Sequence, residues 1–229
     1  DRIETAIRNI QSRVPDGGQY GVNIVNPYNR PELEEAVIDL LLKCGARNME
    51  AAAYMAVSPA LVRYRLNGLK RTPKGSVRIK NRIQAKISRP EPARIFLSPP
   101  PRQIVSYLLE SKRITAEEAE LSDKIPMAED LCVEADSGGH TDQRSPYGIM
   151  PAIMKLRDEY MSECNYSKRV RVGAAGGIGT PEAACAAFIL GADFIVTGSI
   201  NQCTVEAGTS NTVKDMLQEM NVQDTDYAP

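Results

Sequence analysis

Between Arg169 and Ile200 the chain reads RVRVGAAGGIGTPEAACAAFILGADFIVTGSI, and no other stretch constrains the fold as much. A β-branched run, Arg169–Ala174, breaks into Gly176, Gly177 and Gly179. Thr180 then stands where a helix N-cap is wanted, with Pro181 at the first helical position, where a missing N–H costs nothing. The helix Glu182–Leu190 stops at Gly191, and a second apolar strand, Ala192–Thr197, ends in Gly198 and Ser199. Two successive strands therefore end in glycine turns with free backbone donors, and a phosphate fits between them. The plainer alternative is that these glycines only make tight connections.

Glycine spacing separates the two common folds with such turns. A dinucleotide fingerprint needs G-x-G-x-x-G/A, but from Gly177 and Gly179 the third position falls on Glu182. Paired turns after consecutive strands fit instead strands 7 and 8 of a (β/α)8 barrel, which bind phosphate together with a short extra helix.

The rest of the chain alternates strand and helix, as a parallel sheet covered by helices requires. Helix Asp1–Val14 carries Ile3, Ile7 and Ile10 on one face, and PDGG ends it. Strands are expected at Tyr20–Val25, Arg47–Ala52, Arg82–Ser88 and Asp130–Ala135. Helices are expected at Pro31–Cys44, Pro59–Leu69, Gln103–Glu110, Tyr147–Cys164 and Thr212–Met220. Thr115 and Glu118 have the spacing of a capping box. If Ala192–Thr197 is strand 8, the first two strands precede Asp1. The expected architecture is an α/β (β/α)8 TIM barrel lacking its first strands, one domain over 1–229, with a helical insertion at 89–126 before strand 6. That insertion reads as a lid, a docking element or a structural excursion.

Composition narrows the function classes. The 229 residues suffice for one barrel, and a net charge of −1 gives no general attraction to nucleic acid or anionic membrane. No apolar run is long enough to span a bilayer and the N-terminus lacks a secretory h-region, so a cytoplasmic location is expected. The five cysteines are widely spaced without C-x-x-C, which argues against disulfides and a zinc site.

Chemistry in a barrel sits at the C-terminal ends of strands. After Asp130–Ala135 the segment EADSGGHTDQR gathers Glu134, Asp136, Ser137, His140, Asp142 and Arg144 around Gly138 and Gly139. His140 is the only histidine and can exchange a proton near neutral pH, although a lone histidine is often structural. Asn23 is an amide that either hydrogen-bonds a polar ring edge or caps its strand. Glu50 is a buried strand carboxylate or a solvated one. Lys86 alternates with Ala85 and Ile87, so it points to the opposite face; it is a cation for a reduced cofactor ring or an ordinary surface lysine.

The motifs EADSGGHTDQR, VGAAGGIGTPEAACAAFILGADFIVTGSINQC, MNVQDTDYAP and PALVRYRL resemble those of the trans-acting enoyl reductases of bacterial polyketide and polyunsaturated fatty acid synthases, within the nitronate monooxygenase (2-nitropropane dioxygenase-like) superfamily. The resemblance runs over essentially the whole chain. It implies an FMN-dependent TIM barrel that uses NADPH to reduce the double bond of an acyl chain held on an acyl carrier protein. It further implies that Gly176, Gly177, Gly198 and Ser199 hold the FMN phosphate, that Asn23, Lys86 and Glu134 belong to the flavin site, that Ser137, Gly138 and Gly139 lie against the flavin, and that His140 is the active-site histidine. Members of this family continue past a position like Pro229, so a fragment is expected. Two other functions fit the same residues: a nitronate monooxygenase using FMN and oxygen, and a non-catalytic barrel that docks within a synthase.

Overall fold

The structure, a computed structural model, describes residues 2–14, 19–135, 142, 144–221 and 224. The chain runs through α1 (Arg2–Arg13), β1 (Val22–Val25), α2 (Pro31–Cys44), β2 (Asn48–Ala52) and α3 (Pro59–Leu66). A hairpin of β3 (Lys70–Arg71) and β4 (Val77–Arg78) precedes β5 (Arg82–Ile87). Helices α4 (Pro90–Leu97), α5 (Arg102–Glu110) and α6 (Ala116–Leu121) lead to β6 (Asp130–Glu134) and α7 (Pro146–Cys164). The last elements are β7 (Arg171–Ala175), α8 (Pro181–Ile189), β8 (Ile195–Val196), α9 (Ser199–Gln202) and α10 (Asn211–Glu219).

Local chemistry sets these boundaries. Helix α2 opens with Pro31 and closes at Gly45, whose φ of 69° is the left-handed conformation glycine adopts without strain. Ser58 caps α3 by accepting from Leu61 N at 3.0 Å, and Thr180 caps α8 by accepting from Ala183 N at 3.2 Å. Thr115 and Glu118 form both bonds of a capping box on α6.

Six strands form one sheet in the order β1-β2-β5-β6-β7-β8, every neighbouring pair parallel. A doubly wound sheet reverses its order at a switch point and carries helices on both faces. Here the order never reverses, and α4 and α7 pack on the sheet through β5, β6 and β7. Ile24, Met49, Ile83, Leu131 and Val172 are buried on one face. The alternate positions Asn23, Glu50, Gln84, Lys86, Glu134 and Arg171 face the other way, into what is the interior of a barrel. This is the α/β TIM-barrel fold with six of its strands present among the described residues, and all six expected strands are found in it.

The segment 89–126 holds one helix that its sequence does not advertise. PEPARIFL reads like a proline-broken loop, yet Pro90 occupies the first helical turn and Ala93, Phe96 and Leu97 are buried. Helix α4 packs on β5 and α7 as an ordinary crossover helix, while α5 packs on α3 and α6 on the hairpin. The fully buried Arg65 ties α3 to the start of β6. It donates to Pro126 O at 2.8 and 3.0 Å, to Asn81 O at 3.0 Å and to both oxygens of Glu129 at 2.5 and 2.6 Å.

Candidate functional site

Sheet register determines which side chains meet at the C-terminal rim. Lys86 pairs in register with Cys132, Glu134 with Ala175, and Ala175 with Val196. The ends of β5, β6, β7 and β8 therefore lie side by side. Both glycine turns, at Gly176–Gly179 and Gly198–Ser199, leave adjoining strands on one rim.

On the inner face the Lys86 Nζ donates to Glu134 Oε1 at 2.6 Å, with Glu50 Oε1 3.9 Å away. Gln84 Nε2 in turn donates to Glu50 Oε2 at 2.9 Å, which orients that carboxylate. Burial pulls the Lys86 ammonium pKa down, but the hydrogen bond and charge of Glu134, with Glu50 behind it, carry it above the usual lysine value. Burial raises the Glu50 carboxyl, only partly offset by Lys86, and burial together with the two carboxylates raises the Cys132 thiol. Lys86 is thus a cation fixed on the inner face beside a neutral thiol. It lines a cavity of about 230 Å³ with Tyr54, Met55, Arg89, Glu134 and Asp142.

Asp142 pins the segment after β6 to the end of β5. Its Oδ2 accepts from Ser88 Oγ at 2.6 Å and from Arg89 Nε at 2.9 Å, while Arg89 Nη2 donates to Oδ1. The hydrogen bond from Arg89, then that from Ser88, lowers the Asp142 carboxyl to about 2. In the sequence Asp142 stands out only as one member of a dense polar loop; its partners lie on a different strand end and carry no local signal. Ser137, Gly138, Gly139 and His140 lie outside the described residues.

Gly176 and Gly177 adopt φ of 92° and 66°, in the left-handed region. A Cβ added at Gly177, Gly179 or Gly198 would meet no atom of the described residues within 4 Å, so among those residues the space at both turns is open. The N–H groups of Gly177, Ile178 and Gly179 have no backbone acceptor among the described residues. Open space and unspent donors are what a phosphate-bearing cofactor requires, so these residues fit one. Gly173 is different: a Cβ there would come within 2.3 Å of the Phe194 ring, and its role is packing.

Asn23 does not join this group. It faces the same interior, but its register partner is Glu50, one rung below Lys86. It lines a separate cavity of about 720 Å³ with Asn48, Arg82 and Arg171, toward the N-terminal ends of the strands. No His, Cys, Asp and Glu cluster suited to a metal ion occurs among the described residues. Nor is any described helix long and apolar enough to cross a membrane.

Fold and site together define a class: an all-parallel β/α barrel with paired glycine turns after its last strands and an ion-paired lysine inside the same rim. No family model matches the chain, but individual proteins do. It is 59% identical over 227 residues to the polyketide biosynthesis protein PksE of Bacillus subtilis, covering 99% of this chain and 30% of PksE. It is 45% identical over 229 residues to a polyunsaturated fatty acid synthase component of Thraustochytrium sp., covering 99% of this chain and 15% of that protein. Among solved structures, the enoyl reductase domain of MlnA, from the macrolactin biosynthesis cluster of Bacillus amyloliquefaciens, matches with TM-score 0.95 and 46% identity. That match covers 100% of this chain and 51% of the MlnA chain. FabK from Thermotoga maritima, at TM-score 0.57 and 14% identity over 97% of this chain and 54% of that one, shares the fold alone. The resemblance to the enoyl reductases of polyketide and polyunsaturated fatty acid synthases is borne out. The chain spans 30% or less of these curated relatives and about half of the MlnA structure.

Proposed function

We propose that the chain is the FMN-binding part of an enoyl reductase that uses NADPH to reduce enoyl thioesters presented by acyl carrier protein in polyketide or polyunsaturated fatty acid biosynthesis. The observation that carries this reading is the placement of two open glycine turns on adjoining strands, beside the Lys86–Glu134 pair on the same rim. The likeness to the MlnA enoyl reductase domain supports it.

Gly176, Gly177, Gly198 and Ser199 would hold the phosphate through backbone donors, and Lys86 would present its ammonium toward the ring, kept charged by Glu134. When bound, FMN would supply the hydride transfer from NADPH to the β-carbon of the enoyl group, which no side chain can perform. Negative charge then develops at the thioester oxygen of the substrate. His140 would donate a hydrogen bond or proton there, a contribution typically worth about 10²–10⁴-fold. Asp142, two residues later, is itself held at the end of β5 by Ser88 and Arg89.

The test uses the full-length protein. A flavin absorption spectrum after purification, NADPH oxidation dependent on a crotonyl thioester, and loss of turnover in His140→Ala with flavin retained are the expected results. A colourless protein that still captures carrier protein would assign the docking role instead, and oxygen uptake with an alkyl nitronate would assign the monooxygenase.

A further inference from the structure

A net charge of −1 conceals a cationic patch on the opposite rim of the barrel, next to a cavity lined by Glu50, Glu129 and Asp130. Arg47 and Arg82 stand at the N-terminal ends of β2 and β5, Lys70 and Arg78 on the hairpin, and Lys80 between hairpin and β5; all five are exposed. They line one depression of about 930 Å³, and no Asp or Glu among the described residues lines it with them. None of the five side chains has an ion-pair or hydrogen-bond partner among the described residues. The neighbouring Arg71, outside that lining, is by contrast paired with Glu120 at 2.7 Å.

Two details go beyond a chance accumulation of lysine and arginine. Lys70 and Arg78 are direct cross-strand partners, and like charges facing each other weaken a hairpin. Gly68, at φ +81°, lies so close to Lys80 that an added Cβ would sit 2.5 Å from its Cδ, so the turn leaves room for the stem of a cation. A stability penalty kept on an exposed surface fits a binding role.

The charges are exposed and spread over several stretches of chain. They match negative charge distributed over a surface; a single phosphate would need converging, desolvated donors. Tyr20 is the one aromatic residue lining the depression among those described, which leaves no stacking platform for nucleic-acid bases.

We propose that this depression is a docking surface for a carboxylate-rich segment of a partner protein. It lies at the N-terminal ends of the strands, away from the Lys86–Glu134 rim, so a docked partner leaves the candidate site uncovered. The proposal does not depend on the reductase reading and survives or fails apart from it.

The experiment measures fluorescence anisotropy of a labelled oligoglutamate peptide with the full-length protein over a range of salt concentrations. Binding should weaken with salt, and Lys70→Thr with Arg78→Thr should lower affinity about tenfold and flatten the salt dependence. The same double variant should unfold at an unchanged or higher temperature, because it removes a like-charge pair and threonine suits a strand. A control pair outside the groove, Arg102→Gln with Lys155→Gln, should leave binding intact. The proposal is overturned if the groove variant binds like the parent or the control pair loses as much. It is equally overturned if inorganic phosphate displaces the peptide more effectively than chloride at the same ionic strength, or if a single-stranded oligonucleotide binds more tightly than the peptide.

Discussion

Gly173 and Gly177 belong to the same strand and turn yet do different work, and a single added methyl group separates their roles. Gly173 has no room for a Cβ against Phe194, so Gly173→Ala should destabilise by about 1–3 kcal/mol through overpacking. Gly177 has open space above it but a left-handed φ, so Gly177→Ala should lose about 1–2 kcal/mol of stability. Only the second should also lower flavin retention, because its methyl enters the space the phosphate would occupy. Thermal unfolding and flavin content of the two purified variants check this. Asp142 offers a pH test at the same scale. Its carboxyl is lowered to about 2 by Arg89 and Ser88, below an unfolded value of roughly 4. Its contribution is therefore complete above that unfolded value and lost as pH falls toward 2. Urea unfolding from neutral pH downward should show the parent losing more stability than Asp142→Asn across that acid window.

Elements are joined less by apolar contact alone than by a few buried polar links. Arg65 on α3 satisfies carbonyls from the β4–β5 connection and from the end of the 89–126 segment, and pairs with Glu129 at the entrance to β6. Arg65→Met would remove the donor to the Pro126 and Asn81 carbonyls and leave Glu129 with only its 3.2 Å bond from Ile83 N. A loss of about 3–5 kcal/mol is expected, the range for removing one partner of a buried pair, read from urea denaturation. The motif PALVRYRL is thus explained by packing: every one of its residues from Ala60 to Leu66 is buried. Glu118 plays a similar part for α6, closing its own capping box and accepting from Gly68 N at 2.6 Å.

Across the whole molecule the two rims are chemically distinct. The C-terminal rim carries the glycine turns, the ion-paired Lys86 and the Asp142 clamp, while the N-terminal rim carries the Arg65–Glu129 and Arg171–Asp130 pairs and, beside them, five cations with no partner among the described residues. Within the described residues the sheet is open, with β1 and β8 each paired on one side only. Helices α8 and α10, late in the chain, bury almost nothing, and Ile189 is 85% exposed. Overall charge, read from composition, averages the cationic rim away.

The sequence by itself determined the elements and their order. Glycine, proline and capping residues act within a few positions, and the strand alternation that turns Lys86 inward is a property of one segment. This is why Pro31–Cys44, the Thr115 box and the turn at Gly176–Gly177 were legible. The hairpin strands are not legible, because each is only two residues long and shows no periodicity. Only the tertiary structure decided that Glu50, Lys86 and Glu134 share one charge cluster, that Asp142 is held by Ser88 and Arg89, and that Arg47, Lys70 and Arg82 converge. Those contacts depend on parallel register between strands tens of residues apart, and no local preference encodes which distant side chains a register brings together.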